Sequence, residues 1–168
     1  LHMSQYQDYP QLASITEAEK ATAQRAKITN LILCFLDFHV TEEDFAAMKT
    51  TNFKDTNIVE VVNDLKHYGY NVELPESAED YRANVYPLFI ELHAKAGFYG
   101  LQIPVGGVPF DENGDLTEVA LANLKRQREI VEAAGLKISA VGGNFTEDWK
   151  GSIKPQMLSA NALGSKFL

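Results

Sequence analysis

Asp37-Phe-His39 is the pair of residues with the most evident chemistry in this chain. Residues two apart in a strand point to the same side, so a carboxylate and an imidazole at a strand end can together bind a metal ion or sugar hydroxyls. Glu73 and Gln102 close two further predicted strands. A polar group in such a place needs hydrogen-bond partners, and a hydroxyl-rich ligand supplies them in pairs. Asn144 follows Gly142-Gly143, and paired glycines let the backbone come close to a ligand. Trp149, the single tryptophan, and Phe110 lie in long loops and can stack on a sugar ring. Each feature also has a plain structural reading. Asp37 can cap a turn beside a surface His39, Glu73 and Gln102 can bond loop backbone, and the glycines can make a tight strand exit. Loop aromatics often plug their own loop. His67, at a helix C-terminus, is explained by the helix dipole, and His93, beside the core stripe of its helix, is expected to be structural.

The elements that position these residues recur. Glycines at 69, 97, 135 and 164 each end a helical pattern and lead into an apolar run. Their separation is close to a strand plus its crossover helix, roughly 30 residues. Strands are predicted at 28–38, 70–74, 101–105 and 137–141, and the last residues, 161–168, read as a helix end followed by the opening of another strand. The near-continuous apolar character of 28–38 suits a strand covered on both faces. Helices are predicted over 57–68, from Ser77, from Asp115 and from Pro155. Pro87 inside the second implies a kink or a second start. The Asp115 helix carries an apolar stripe, Leu116, Ala120, Leu124, Val131 and Ala134, interrupted only by Gln127. The loops after the strands (37–41, 73–77, 102–115 and 142–151) are long, while the turns back from helix to strand are short. In βα units the former gather on one face, where α/β enzymes place their sites.

Composition bounds the function. Hydrophobic residues are 45% and charged residues 23%, ordinary for a globular α/β domain. A net charge of −8 argues against a nucleic-acid partner, and Lys125-Arg126 with Arg128 reads as a solvated helix face. Cys34, the one cysteine, excludes an internal disulfide. No apolar run reaches the length of a membrane span, so no membrane partner is expected and a cytoplasmic location is the default. Residues 1–27 read as a tag remnant (Leu1-His2-Met3), a polar tail and an Ala-rich helix from Thr16. No Gly-x-Gly-x-x-Gly, Walker loop or nucleophile elbow occurs. Asp111-Glu-Asn-Gly-Asp115 lacks the spacing of a calcium loop.

The phrases Ala96-Gly-Phe-Tyr-Gly-Leu-Gln-Ile-Pro104, Ala134-Gly-Leu-Lys-Ile-Ser-Ala-Val-Gly-Gly143 and Ala162-Leu-Gly-Ser-Lys-Phe-Leu168 resemble strands two, three and four of the xylose-isomerase-like TIM barrels. That superfamily includes sugar-phosphate isomerases and epimerases. The resemblance covers roughly residues 85–168 and implies that 28–168 are βα units from the N-terminal part of a (β/α)8 barrel. It implies metal-assisted proton transfer next to a sugar carbonyl, with a sugar or sugar phosphate as substrate; an oligomer is expected because an open half-barrel leaves strand edges bare. It also implies a divalent cation (Mn, Mg or Zn) whose ligands lie beyond Leu168. The family's strand-two glutamate is Gln102 here. On this reading the chain holds the substrate-shaping half, with His39, Glu73, Gln102, Asn144 and Trp149 as substrate contacts and the catalytic residues unassigned. The alternative is a flavodoxin-like module that binds a small molecule without catalysis, and a half-barrel closed by a second subunit is a third possibility.

Overall fold

Side-chain caps decide where several helices begin. The computed structural model of the chain describes residues 38–49, 58–143 and 149–168. The strand predicted over 28–38 lies outside these residues but for Phe38, which is in a turn, and so do the tail and the helix from Thr16. Thr41 accepts a hydrogen bond from the Asp44 N–H at 3.1 Å and opens α1, Glu42–Met48. Helix α2, Ile58–His67, buries Ile58, Val62 and Leu65 at the predicted spacing. Tyr68, placed on that stripe from sequence, falls past the helix end and is exposed. Ser77 caps α3, Ala78–Asp80, by accepting from the Asp80 N–H at 3.0 Å.

The proline in the next helix has a local solution. A proline inside a helix lacks the N–H and crowds the carbonyl four residues back. Here the chain widens into a π turn over Tyr81–Val85, and α4, Tyr86–Lys95, starts with Pro87 in its first turn. The expected second start is therefore real, and the wider turn before it sets the rotation of Tyr81, Arg82 and Tyr86.

Strand β1, Gly100–Pro104, leads through a long loop into α5, Glu118–Ala133, and then β2, Lys137–Gly142. Gly97 and Gly135, with φ of 88° and 82°, make the turns from helix to strand, a backbone region open to glycine and costly for other residues. The cap of α5 is Thr117, which accepts from the Ala120 N–H, rather than Asp115 as the sequence suggested. Asp115 is already engaged, its N–H donating to Asp111 and its carboxylate pairing with Lys154. Helix α6, Trp149–Ala162, begins before Pro155, which sits inside it and forgoes one backbone hydrogen bond.

The two strands pair in parallel, with a change of register between Leu101 and Gln102. Leu101 faces Ile138 and Gln102 faces Ala140, so Ser139 is the extra residue of a bulge. Its hydroxyl donates to the Leu101 carbonyl at 3.0 Å, replacing the ladder bond lost there. On the far side of β2, the Val141 N–H donates to the Phe167 carbonyl at 3.0 Å. The segment 165–168 is not an assigned strand, yet Phe167 lies along β2 where a third strand would. The predicted strand at 70–74 pairs with nothing among the described residues. It runs extended, buries Val72 and Pro75, and its Tyr70 N–H closes α2 by donating to the Leu65 carbonyl.

The result is a mixed α/β arrangement with a small parallel sheet. Helix α5 packs against both α4 and α6. Leu101, Ile103 and Val141 from the sheet share one apolar core with Ile90, Leu124, Val131 and Leu163 from or beside the helices. No helix among the described residues is long and apolar enough to cross a membrane. Ser139→Ala is expected to lower stability by about 1 kcal/mol, the usual net worth of one hydrogen bond. Urea unfolding checks it, and an unchanged midpoint would show that water serves the Leu101 carbonyl equally well.

Candidate functional site at the strand ends

Parallel pairing brings the C-terminal ends of β1 and β2 side by side, and the Val105 N–H closes that end by donating to the Gly142 carbonyl at 3.0 Å. Alternation fixes what each sheet face carries. Leu101, Ile103 and Val141 turn toward the helices and are buried. The opposite face carries Gln102, Pro104, Ala140 and Gly142, all half-buried. Gln102 lies across Gly142, so that a Cβ built on Gly142 would meet the Gln102 Nε2 at 3.0 Å. Among the described residues the Gln102 amide makes no hydrogen bond. Gln102, the middle residue of β1, thus presents a donor and an acceptor on the face away from the described helices.

The loop that leaves this end is held firmly. Asp111 accepts through Oδ1 from the Asn113 and Asp115 N–H groups at 2.8 and 2.9 Å, and its own N–H donates to the Asp115 carbonyl. Lys154 of α6 fastens the loop by pairing with Asp115 and donating to the Asn113 carbonyl, both at 2.9 Å. Phe110 bridges to Leu116 in this loop and is largely exposed. The acidic stretch from Asp111 to Asp115 is therefore engaged with its own backbone and with a lysine.

His39 stands elsewhere. It is buried, and its Nε2 lies 3.1 Å from Gln127 Oε1. The Gln127 Nε2 in turn donates to the Tyr86 hydroxyl at 2.9 Å. That amide orientation makes His39 Nε2 the donor toward Gln127, linking the 38–40 turn to both α4 and α5. Arg82 adds a second tie through Nη1, which donates to the Val40 carbonyl at 2.9 Å and lies 3.4 Å from that of Phe38. The Phe38 ring meets Tyr86 edge-on at 4.8 Å. Sequence reading missed Gln127 as the partner of His39 and Tyr86 as the partner of Gln127. The available signal was Gln127 itself, the one polar residue in the α5 stripe, since a buried amide requires partners.

Of the remaining sequence candidates, Glu73 points into solvent and pairs with Lys66 of α2 at 3.2 Å. The structure does not bring it to Gln102 through any contact among the described residues. Asn144 lies outside the described residues, and Trp149 is the first residue of α6. His67 is exposed and edges against Tyr68. His93 is buried, donates through Nδ1 to the Phe89 carbonyl at 2.6 Å and stacks on Phe98. Among the described residues no group of three or more His, Cys, Asp or Glu is placed to hold a metal ion. Comparison with protein-family models, curated proteins and solved structures finds no match for this chain.

Two predictions follow from the buried polar groups. Gln127→Leu keeps the volume but leaves His39 Nε2 and the Tyr86 hydroxyl without the amide. A loss of about 1–3 kcal/mol is expected by denaturant unfolding, the usual net worth of two buried hydrogen bonds. A cost near that of a conservative surface change would show that the chain from His39 to Tyr86 is dispensable. For His93, burial pushes the imidazole below its ordinary value of 6.5, opposed by the hydrogen bond to Phe89. The unfolded chain then binds this proton more tightly than the folded one. The His93 contribution is fully present above pH 6.5 and declines as pH falls toward the lowered folded value. In His93→Gln the unfolding midpoint should depend less on pH in that window, and parallel pH profiles for the two proteins would contradict the assignment.

Proposed function

We propose that the chain supplies successive βα units of a (β/α)8 barrel of the sugar isomerase/epimerase type, and that the β1–β2 end shapes its substrate site. One observation carries the reading. β1, β2 and Phe167 neighbour one another in sequence order, while α4, α5 and α6 pack as consecutive neighbours. Crossovers of one hand that always advance in the same direction leave their helices on one face, the winding of a barrel. A doubly wound sheet reverses its strand order and distributes helices to both faces. In the barrel arrangement the face carrying Gln102 turns inward, and the loops after the strands surround the site.

The proposed chemistry is proton transfer at the carbon next to a sugar carbonyl, with a divalent cation supplying polarisation of the oxygens when bound. The described residues hold no group of three or more side chains fit for a metal ion, so its ligands would come from elsewhere. What this chain contributes on the described surface is an uncharged hydrogen-bonding group, Gln102, beside a glycine that leaves room for a ligand.

The test is proton exchange. The protein is incubated in D2O with a panel of ketoses, aldoses and their phosphates, with and without Mn, Mg or Zn ions, and the sugars are examined by proton NMR. Deuterium should enter at the carbon beside the carbonyl of at least one substrate and cease on chelation. Sugar binding with no exchange under any condition would replace this reading with that of a non-catalytic binding module.

A further inference from the structure

We infer that Gln102, seated on Gly142, reads a donor–acceptor pair of neighbouring oxygens on an uncharged part of the ligand, with Gly142 acting as a specificity-determining residue. The inference rests on the proposed function for the location of the site, and goes beyond it in naming the ligand group and the residue that selects it.

The geometry around Gly142 is unusually clean. Its φ is not in the left-handed region, unlike that of Gly97 or Gly135, so its backbone does not require glycine. Among the described residues a Cβ there would meet only Gln102 within 4 Å, with Nε2 at 3.0 Å and Cδ at 3.9 Å. The consequence of lacking a side chain at 142 is therefore that the Gln102 amide can lie flat across β2. Gln102 is also fixed from below. The bulge at Ser139 advances β2 by one residue, so that Gln102 pairs with Ala140 and Pro104 with Gly142. Without that extra residue the alternation of β2 beyond the bulge would be inverted, and a different residue would stand beneath the amide.

A primary amide offers two N–H donors and a carbonyl acceptor in one plane. Adjacent hydroxyls, or a hydroxyl beside a carbonyl, present the complementary pair. A phosphate oxygen or a carboxylate satisfies only the N–H side and leaves the amide oxygen facing an anion. The neighbours on this sheet face near Gln102 are Pro104, Ala140 and Gly142, none of which carries charge. Discrimination built on a pair of hydrogen bonds is large, since a ligand that lacks one partner leaves a polar group unpaired.

The experiment follows the Gln102 side-chain NH2 signals in a 15N-labelled full chain, assigned by their loss in Gln102→Ala. D-fructose and inorganic phosphate are the probes. Fructose should shift these signals saturably and phosphate should not. Gly142→Ala should fold with unchanged stability and bind fructose about tenfold more weakly, the effect of displacing one well-placed hydrogen bond. A response to phosphate instead of fructose, no response to either, or undiminished fructose affinity in Gly142→Ala would each overturn the inference. Isotope exchange separates it from the function on which it rests. Exchange of a sugar proton without a Gln102 response keeps the epimerase reading and removes this one. A fructose-dependent Gln102 shift without exchange does the reverse.

Discussion

The parallel pairing of β1 with β2 is the constraint on which the rest of the described structure depends. Parallel neighbours cannot be joined by a tight turn, so the chain must return the length of the strand before pairing again. That return is α5, and its buried stripe of Ala120, Leu124, Gln127 and Val131 follows from lying on the sheet. The crossover also delivers both strand ends to the same edge, which alone makes a site there possible. Ser139 modifies the pairing at one point, and its hydroxyl repairs the ladder it interrupts. The position of Gln102 over Gly142 is thus a consequence of register, not of loop conformation.

The second organising feature is polar and lies under the first. Burying Gln127 in the middle of an apolar stripe is costly unless each of its groups is bonded, and here the carbonyl faces His39 and the amide faces Tyr86. A leucine would satisfy the hydrophobic requirement of α5 but would hold no particular orientation relative to the 38–40 turn. The amide ties three elements that are distant in sequence, and Arg82 fastens the same turn by its carbonyls. The π turn at Tyr81–Val85 belongs to this arrangement. It holds Arg82, which bonds the 38–40 turn, and runs directly into Tyr86, which bonds Gln127 of α5, while Pro87 falls in the first turn of α4.

How much of this was legible in the sequence depended on how local each feature is. Strands β1 and β2, the glycines before them and the stripe of α2 were readable because each is specified by a few adjacent residues. The cap of α5 was not, because Asp115 satisfies the capping pattern but is taken by Asp111 and Lys154, and only Thr117 is free to serve. Residues 70–74 have the composition of a strand, yet a strand exists only where a neighbour completes the ladder, and that neighbour is a non-local matter. The site was legible to the same degree. Gln102 could be placed on β1 from pattern alone, though in its middle and not at its end, whereas the partnership of His39 with Gln127 spans 88 residues and has no local signature.

The contrast between His39 and Gln102 shows how the fold divides polar residues between holding and meeting. His39 was singled out with Asp37 as a possible ligand pair, and Gln102 as a polar group closing a strand. His39 is buried in the 38–40 turn, where its Nε2 is matched by Gln127 of α5. Gln102 falls one alternation away from Leu101 and Ile103, on the face that the described helices do not cover, and its amide makes no hydrogen bond among the described residues. The rule of two in a strand therefore separates polar residues that must be matched inside the protein from those left open only once the covered face is known. Here α5 supplies that knowledge, because it packs on β2 while its other flanks meet α4 and α6, so that the residues alternating with Leu101, Ile103 and Val141 are the ones it leaves uncovered.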